Sequence, residues 1–355
     1  MSLTREAVLE TLKKIINPLT GTDLVSSDVI RALTVDNGKV RFVIEVDPSH
    51  GKAMEPVRQA AIEALESVAG VSDVSALITA HSNPKVPDLK LGRHPTPQTG
   101  PQKVPGVNRI IAVASGKGGV GKSTVAANLA VALVAEGKKV GMLDADVYGP
   151  SQPRMLGVSG RPASPDGKII LPLRNHGVTL MSIGLMTKED EAVVWRGPML
   201  MGALQQMLNQ VQWGNLDVLV VDLPPGTGDV QMTLTQKAEV TGAIVVSTPQ
   251  DIALLDARKA LNMFEKMGTK VIGMIENMST YICPNCGHEE HIFGHGGAKS
   301  DAARLGLPFL GEIPLCLDIR MAADGGAPIV VSKPDSPQAK AFRSIARQLI
   351  DEGIV

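Results

Sequence analysis

Residues 116–124 read Gly-Lys-Gly-Gly-Val-Gly-Lys-Ser-Thr and follow directly on the apolar run Ile110-Ile111-Ala112-Val113-Ala114. Gly116, Gly121, Lys122 and Ser123 satisfy the pattern G-x-x-x-x-G-K-[ST] of a phosphate-binding loop. Its glycines, Gly116, Gly118, Gly119 and Gly121, let backbone N–H groups turn inward and line an anion nest. Val120 and Thr124 complete the binding stretch, and the helix behind it adds its positive end. Lys122 is placed to reach the β- and γ-phosphates of ATP, and the Ser123 hydroxyl to hold Mg²⁺. The context agrees. A β-branched strand precedes the loop, and Ser123 to Glu136 reads as a helix with Val125, Leu129, Ala132 and Leu133 on one stripe. Gly137 supplies a stop and a strand follows at Val140 to Leu143. That is the strand–loop–helix–strand setting the motif requires. A glycine-rich turn with no ligand is the alternative. Lys117 is a second lysine that an ordinary loop of this kind does not need, and it suggests a dimer.

The chain has 355 residues, enough for two or three domains. Lysine plus arginine total 35 and aspartate plus glutamate 36, a balance that argues against a nucleic-acid-coating protein. Aromatics at 3% leave little for base-stacking platforms. The N-terminal MSLTREAVLETLKK has no apolar core of signal-peptide type, and no stretch approaches the ~18 apolar residues that span a bilayer. Three cysteines do not make a disulfide framework. The expectation is a soluble protein of a reducing cytoplasm, with no nucleic-acid partner and no stable membrane association.

Three parts are expected along the chain. Residues 1–81 read as a small α+β domain, with helices at Arg5 to Ile16 and Met54 to Ala69 and strands at Val40 to Val46 and Val74 to Ile78. Pro56 is expected in the first turn of the second helix, where proline is tolerated. Residues 82–107 are rich in Pro, Gly, Lys and His and read as a linker. From 108 to 355, apolar strand runs at 110–114, 140–143, 216–221, 243–247 and 271–275 alternate with helices. This is the signature of an α/β fold with a mostly parallel sheet covered by helices on both faces. Ligands bind such sheets at the carboxyl ends of the strands.

Further motifs fall at those ends. The strand at 140–143 runs into Asp144 and Asp146, two carboxylates suited to orienting an attacking water and helping to place a metal. A capping or turn role is the alternative for either. The strand at 216–221 ends in Asp222, the usual kind of Mg²⁺ partner, acting through water. Gly226, in the following Pro-Pro-Gly-Thr-Gly, could present its N–H to the γ-phosphate and sense its loss. The strand at 271–275 leads to Asn277, whose amide suits the adenine edge or, alternatively, a helix or turn cap.

Cys283-Pro284-Asn285-Cys286-Gly287-His288 comes next, with His291 and His295 nearby. Two thiolates at this spacing grip a soft metal. Four readings stay open: a Cys₂His₂ zinc site within one chain, a redox pair, a Cys₄ zinc site shared by two chains, or an iron–sulfur cluster on the same four thiols. A structural pair of reduced cysteines is the plain alternative. Cys316 stands alone and reads as a small buried apolar residue. The methionine stripe from Met199 to Met207 and the amphipathic helix from Ala339 to Glu352 read as core and docking faces rather than client or membrane surfaces.

The ordered set GKGGVGKST, DADVYGPS, VWRGPM, DLPPGTGDVQ, TPQDIALLDARK, ENMSTYICPNCG, IFGHGGA and GEIPL resembles the bacterial Mrp/ApbC iron–sulfur cluster carrier ATPases over roughly residues 105–350. These belong to a deviant phosphate-loop class that includes the septum-site ATPase MinD and the nitrogenase iron protein. The N-terminal part resembles the MIP18-like domain. The resemblance implies a P-loop NTPase that binds ATP through Gly116 to Thr124 and hydrolyses it slowly with Mg²⁺. Lys122 would contact the phosphates and Ser123 the Mg²⁺. Lys117 would reach the partner's nucleotide across a homodimer, and Asp146 and Asp222 would lie in two switch segments. Cys283 and Cys286 would hold a [4Fe–4S] cluster between two subunits, for transfer to apo iron–sulfur clients, with scaffold proteins as further partners. Many MIP18-like domains carry a cysteine on the loop that here reads Asp47-Pro48-Ser49-His50-Gly51, and this chain has none before Cys283. A zinc-stapled targeting or chaperone ATPase and a positioning ATPase are the alternative functions.

Overall fold

The computed structural model describes residues 4–27, 29–36, 38–46, 50–80, 100–186, 197–283 and 285–355. The chain divides into two compact units, Met1–Asn83 and Pro84–Val355. The first holds α1 (Arg5–Leu12), β1 (Ile30–Asp36), β2 (Lys39–Val46), α2 (Gly51–Glu66) and β3 (Asp73–Ala80). β2 lies between an antiparallel β1 and a parallel β3. Val40, Phe42, Ile44 and Val46 alternate along β2 and are buried, and α2 lays Met54, Val57, Ala61 and Leu65 on them at helical spacing.

Three expectations need correction here. The first helix ends at Leu12 rather than Ile16, because the chain turns and the Asn17 N–H donates to the Thr22 carbonyl at 2.8 Å. α2 starts at Gly51, so Pro56 falls inside the helix, where its missing N–H removes one ladder bond. β1 was not expected at all. The residues Asp47 to Ser49 and 81–99, most of the expected linker, lie outside the described residues.

The second unit runs β4 (Val107–Ala114), α3 (Lys122–Ala135), β5 (Val140–Asp144), α4 (Gln152–Met155), β6 (Leu173–Asn175), β7 (Val178–Ser182), α5 (Gly197–Gln210), β8 (Leu216–Asp222) and α6 (Asp229–Lys237). It continues with β9 (Gly242–Ser247), α7 (Asp251–Lys266), β10 (Val271–Ile282), β11 (Glu289–Glu290), α8 (Gly297–Leu305), β12 (Phe309–Leu315), α9 (Leu317–Asp324), α10 (Ile329–Ser332) and α11 (Pro337–Asp351). The sheet order is β12-β10-β9-β4-β8-β5-β7-β6, with β11 also on β10. Every pairing is parallel except β6 with β7 and β11 with β10.

The strands are apolar without a break because both faces are covered. Ile111, Val113, Met142, Val218 and Val220 face α3 and the Phe342, Ile345 and Leu349 side of α11. Ile110, Ala112, Leu143, Leu219 and Val221 face Leu204, Met207, Trp213 and Phe264. α3 ends in a left-handed Gly137 (φ 86°), with Gly137 N–H on the Val134 carbonyl and Lys138 N–H on that of Leu133. The amphipathic face of α11 is therefore spent on the core, and its Arg343 and Arg347 pair with Glu136. In α5 the stripe is core as well, with Leu200, Leu204 and Met207 buried and Met201 exposed.

The linker's expected end at 107 moves forward. Gln102 N–H bonds to the Lys237 carbonyl, Glu239 N–H bonds to the Gln102 carbonyl, and Val104 is buried, so this stretch belongs to the second unit. β7 and β12 were not among the expected strands. β10 runs to Ile282 instead of stopping at 275, with a register slip between Asn277 and Tyr281 and Met278 at φ 58°.

Candidate nucleotide site and cysteine turn

The order β4-β8-β5 sets three strand tips side by side, with Asp222 opposite Val113 on one side and Asp144 on the other. The phosphate loop rises from β4 and turns into α3 at Gly121, which sits at φ 78° where side chains are disfavoured. A Cβ at Gly121 would stand 2.2 Å from Nδ2 of Asn277. A Cβ at Gly116 would lie 2.0 Å from the Asp256 carbonyl carbon, because the backbone of α7 crosses directly over the loop.

Lys122 is 6% exposed and donates to Asp222 Oδ1 at 2.5 Å and to Ser123 Oγ at 3.1 Å, with Asp146 Oδ2 at 3.7 Å. One lysine thus faces two buried aspartates, Asp146 and Asp222, and Asp222 adjoins a third, Asp144. Burial, and then the neighbouring Asp222, push the Asp144 carboxyl up to about 7. Burial also raises Asp146, while Lys122 pulls it down. Asp144 lies on β5 itself, not beyond its tip as expected. Its carboxylate accepts from the backbone N–H groups of Asp146, Ser151 and Gln152 and from the Ser182 hydroxyl. It therefore organises the loop, while Asp146 remains at the cleft.

Around this cluster stand the Ser123 hydroxyl, the carboxylates of Asp222 and Asp146, and two buried oxygens without a protein partner, Ser151 Oγ and Gln152 Oε1. An all-oxygen set with a surplus of negative charge is what a hard cation such as Mg²⁺ requires, so these residues fit that ion. A cleft of about 530 Å³ opens beside them, lined by Asp146, Tyr148, Pro224, Pro225 and Gln231 among others.

Two sequence expectations meet a different geometry. The Gly226 N–H is donated to the Ser115 carbonyl at 2.9 Å, so in this conformation it is not presented to a phosphate. Gln231, to which no role was given, pins that loop: its Nε2 donates to the carbonyls of Pro224 and Gly226, and its Oε1 accepts from Gly228 N–H. Asn277 lies within β10, not past its end, and Nδ2 donates to the Val120 carbonyl at 2.8 Å, bracing the loop from the side. Lys117 is half-buried and makes no salt bridge among the described residues; the Ser115 hydroxyl donates to its carbonyl.

The cysteines sit at the tip of a hairpin. β10 and β11 pair through Tyr281 with Glu290 and Ile282 with Glu289. At the turn Gly287 N–H bonds to the Cys283 carbonyl and Cys283 N–H to the His288 carbonyl. Backbone N–H groups of Cys286 and Asn285, and the Cys286 thiol, point at Cys283 Sγ and hold that thiol below its usual range, which favours the metal-binding thiolate.

The imidazoles do not join the thiols. His288 pairs with Glu290, and His291 stacks on His295. Among the described residues, the one set of three such ligand atoms within 4.8 Å of each other is Glu276, His295 and Glu312, which includes neither cysteine. This arrangement gives no support to the single-chain Cys₂His₂ reading. Cys316 packs half-buried against the core, with Gln338 Nε2 3.5 Å from its sulfur.

A family model described as the NUBPL iron-transfer P-loop NTPase matches residues 106–350. The chain belongs to this family. A second model, iron-sulfur cluster assembly protein, matches residues 5–78. An iron-sulfur cluster carrier protein of Synechocystis is 43% identical over 354 residues, 98% of this chain and 97% of that one. The Escherichia coli K12 protein of the same description is 56% identical over 247 residues, 69% of this chain and 66% of its own. Among solved structures, a nucleotide-binding protein from Archaeoglobus fulgidus in complex with ADP is 40% identical with a TM-score of 0.58, covering 68% of this chain and 93% of that one. The Pyrococcus furiosus cell division ATPase MinD is 26% identical with a TM-score of 0.53, over 69% and 99%. The fold class read from the sequence, a P-loop NTPase with a mostly parallel sheet and a small N-terminal domain, is the one observed.

Proposed function

We propose that this chain is a slow, Mg²⁺-dependent ATPase that carries a [4Fe–4S] cluster between two copies of itself and passes it to apo iron–sulfur proteins of the cytoplasm. The observation that carries this reading is a polarised pair of thiols with no third ligand nearby among the described residues, in the same unit as a complete phosphate loop. Two thiols are half of a four-thiolate site, and a two-fold axis supplies the rest. Exposed Ile282 and Ile292 beside the turn, and Ile252 and Leu255 on the helix crossing the loop, are apolar surface of the kind a partner copy covers. The relatives described as carriers support the same cargo.

Gly116 to Thr124 wrap the phosphates, and Lys122 exchanges its carboxylate partners for them. Ser123 and, through water, Asp222 would hold Mg²⁺, which would supply positive charge to the phosphates. Asp146, at the cleft, orients water. Lys117 brings charge from the other subunit. Asn277 braces Val120 through Nδ2, and its amide oxygen is the group proposed to meet the adenine edge. The Gly226 loop rearranges when its bond to Ser115 opens.

The test is anaerobic reconstitution with iron and sulfide. Wild type should gain visible absorbance and about one cluster per two chains, and Cys283→Ala/Cys286→Ala should gain none. Equal uptake by the variant rejects the site. Stoichiometric zinc without absorbance, in protein purified without oxygen, would make the metal a structural clamp instead.

A further inference from the structure

Gln152 stands beside the cluster, but the proposed function gives its side chain no role. It opens α4 and is 0% exposed, and its amide nitrogen serves two acceptors at once. Nε2 donates to the Ser123 carbonyl at 2.9 Å and to Asp222 Oδ2 at 2.8 Å. One side chain from the loop after β5 therefore ties the start of α3 to the tip of β8, residues 29 and 70 positions away. The Gln152 backbone is held as firmly. Its N–H and that of Ser151 both donate to Asp144 Oδ2 at 3.0 Å.

The amide cannot be turned around. Swapping its ends would press Oε1 against a carboxylate and a carbonyl, neither of which has a proton to give. Oε1 is thus fixed as an acceptor, and it is buried without a partner among the described residues, as is Ser151 Oγ beside it in the chain. Buried oxygens without donors are rare and costly, so a group that donates hydrogen bonds belongs here. Phosphate oxygens accept and do not fill that need. Water on a cation donates strongly, and the residues that would face the cation are the two Gln152 already holds.

We propose that Gln152 is a positioning residue for the metal side of the site. Nε2 fixes Ser123 and Asp222, and Oε1 accepts from a Mg²⁺-bound water, with Ser151 Oγ close by. This rests on the reading of the loop as a Mg–ATP site.

The test uses full-length protein and a fluorescent ADP analogue, titrated with Mg²⁺ and in EDTA, with Mn²⁺ affinity of the ADP complex read directly by electron paramagnetic resonance. Outer-shell partners of metal ligands are worth about 10–100-fold in metal affinity. Gln152→Met, similar in length but without the amide, should weaken Mg²⁺ and Mn²⁺ by that factor and leave nucleotide affinity in EDTA unchanged. Gln152→Asn keeps the amide one methylene short and should fall between. It also carries the test if the Met variant does not fold. Ser123→Ala should lose the metal response altogether. A Gln152 variant that responds to metal like wild type, or that loses nucleotide equally with and without metal, overturns the proposal while the site reading stands. A Ser123→Ala protein that also responds like wild type removes the site reading itself.

Discussion

Lys122 and Cys286 belong to the same unit and are built in opposite ways. Lys122 is buried and meets Asp222, Ser123 and Asp146, all of its own chain. Cys286 is exposed on a hairpin tip, and Cys283 has little besides its own turn around it. The first arrangement is closed by contacts across the sheet, and opening it means breaking a buried ion pair. The second, on the proposed reading, is half of a coordination shell. A protein that must take up and give away a metal cluster gains from the second plan, since a cargo site sealed inside one chain could not be emptied without unfolding. The nucleotide site can be stiff and the proposed cargo site bare because they are different parts of one sheet.

Lys117 is where the contrast is easiest to break. If it acts across a dimer, the nucleotide site is also incomplete in one chain. Groups supplied in this way to phosphoryl transfer are worth about 10³-fold or more. Lys117→Ala should lower ATP turnover on that order while most of the ATP affinity survives in a binding titration. Unchanged turnover would leave the nucleotide site self-sufficient.

Gly116→Ala tests the stiffness of the closed site. Its Cβ would enter the backbone of α7, which has no side chain to move aside. A loss of about 1–3 kcal/mol is expected in urea unfolding, with nucleotide affinity falling too. A neutral result would mean that α7 yields easily.

Mixing sharpens the other half of the comparison. When wild type exchanges subunits with an equal amount of Cys283→Ser/Cys286→Ser, a cluster shared across a two-fold axis survives only in wild-type pairs. Iron per chain should fall to about a quarter of the pure wild-type value, against about a half if each chain binds alone.

A further prediction concerns acidity. Folded Asp144 takes its proton at about 7, against an ordinary 3.8. Between those values the folded chain binds more protons than the unfolded one. Its stability without nucleotide should therefore fall as pH rises from about 4 to about 7 and level off above. Melting temperatures across that range should show a slope that Asp144→Asn flattens, and an equal slope in the variant would point to other groups.

The central strands were legible because burial on both faces leaves an unbroken apolar run, as at 110–114 and 243–247. The phosphate loop was legible because its chemistry fixes both residue types and spacing. β12 escaped notice because Gly311, Glu312 and Pro314 interrupt Phe309–Leu315. The outer part of β10 escaped because the register slips after Asn277, and Ser279 is buried by donating its hydroxyl to the Ile313 carbonyl rather than by being apolar, so Ser279, Thr280 and Tyr281 carry no period. Gln152 and Gln231 could not be read at all. Their partners are chosen by the fold, and a glutamine in the first turn of a helix looks the same whether it is idle or tying distant segments together.

Met278 has a mechanical consequence. It stands between Asn277, which grips the phosphate loop, and the hairpin that ends in Cys283, and its backbone occupies a region that costs a side-chain-bearing residue about 1–3 kcal/mol. That makes it a natural pivot. The arm beyond it spans five residues, at most about 16 Å. A rotation of about 10° there would sweep the thiols through about 3 Å, more than the length of a metal–sulfur bond of about 2.3 Å. Two such arms meeting at one cargo would need only a small twist at their roots to lose their grip.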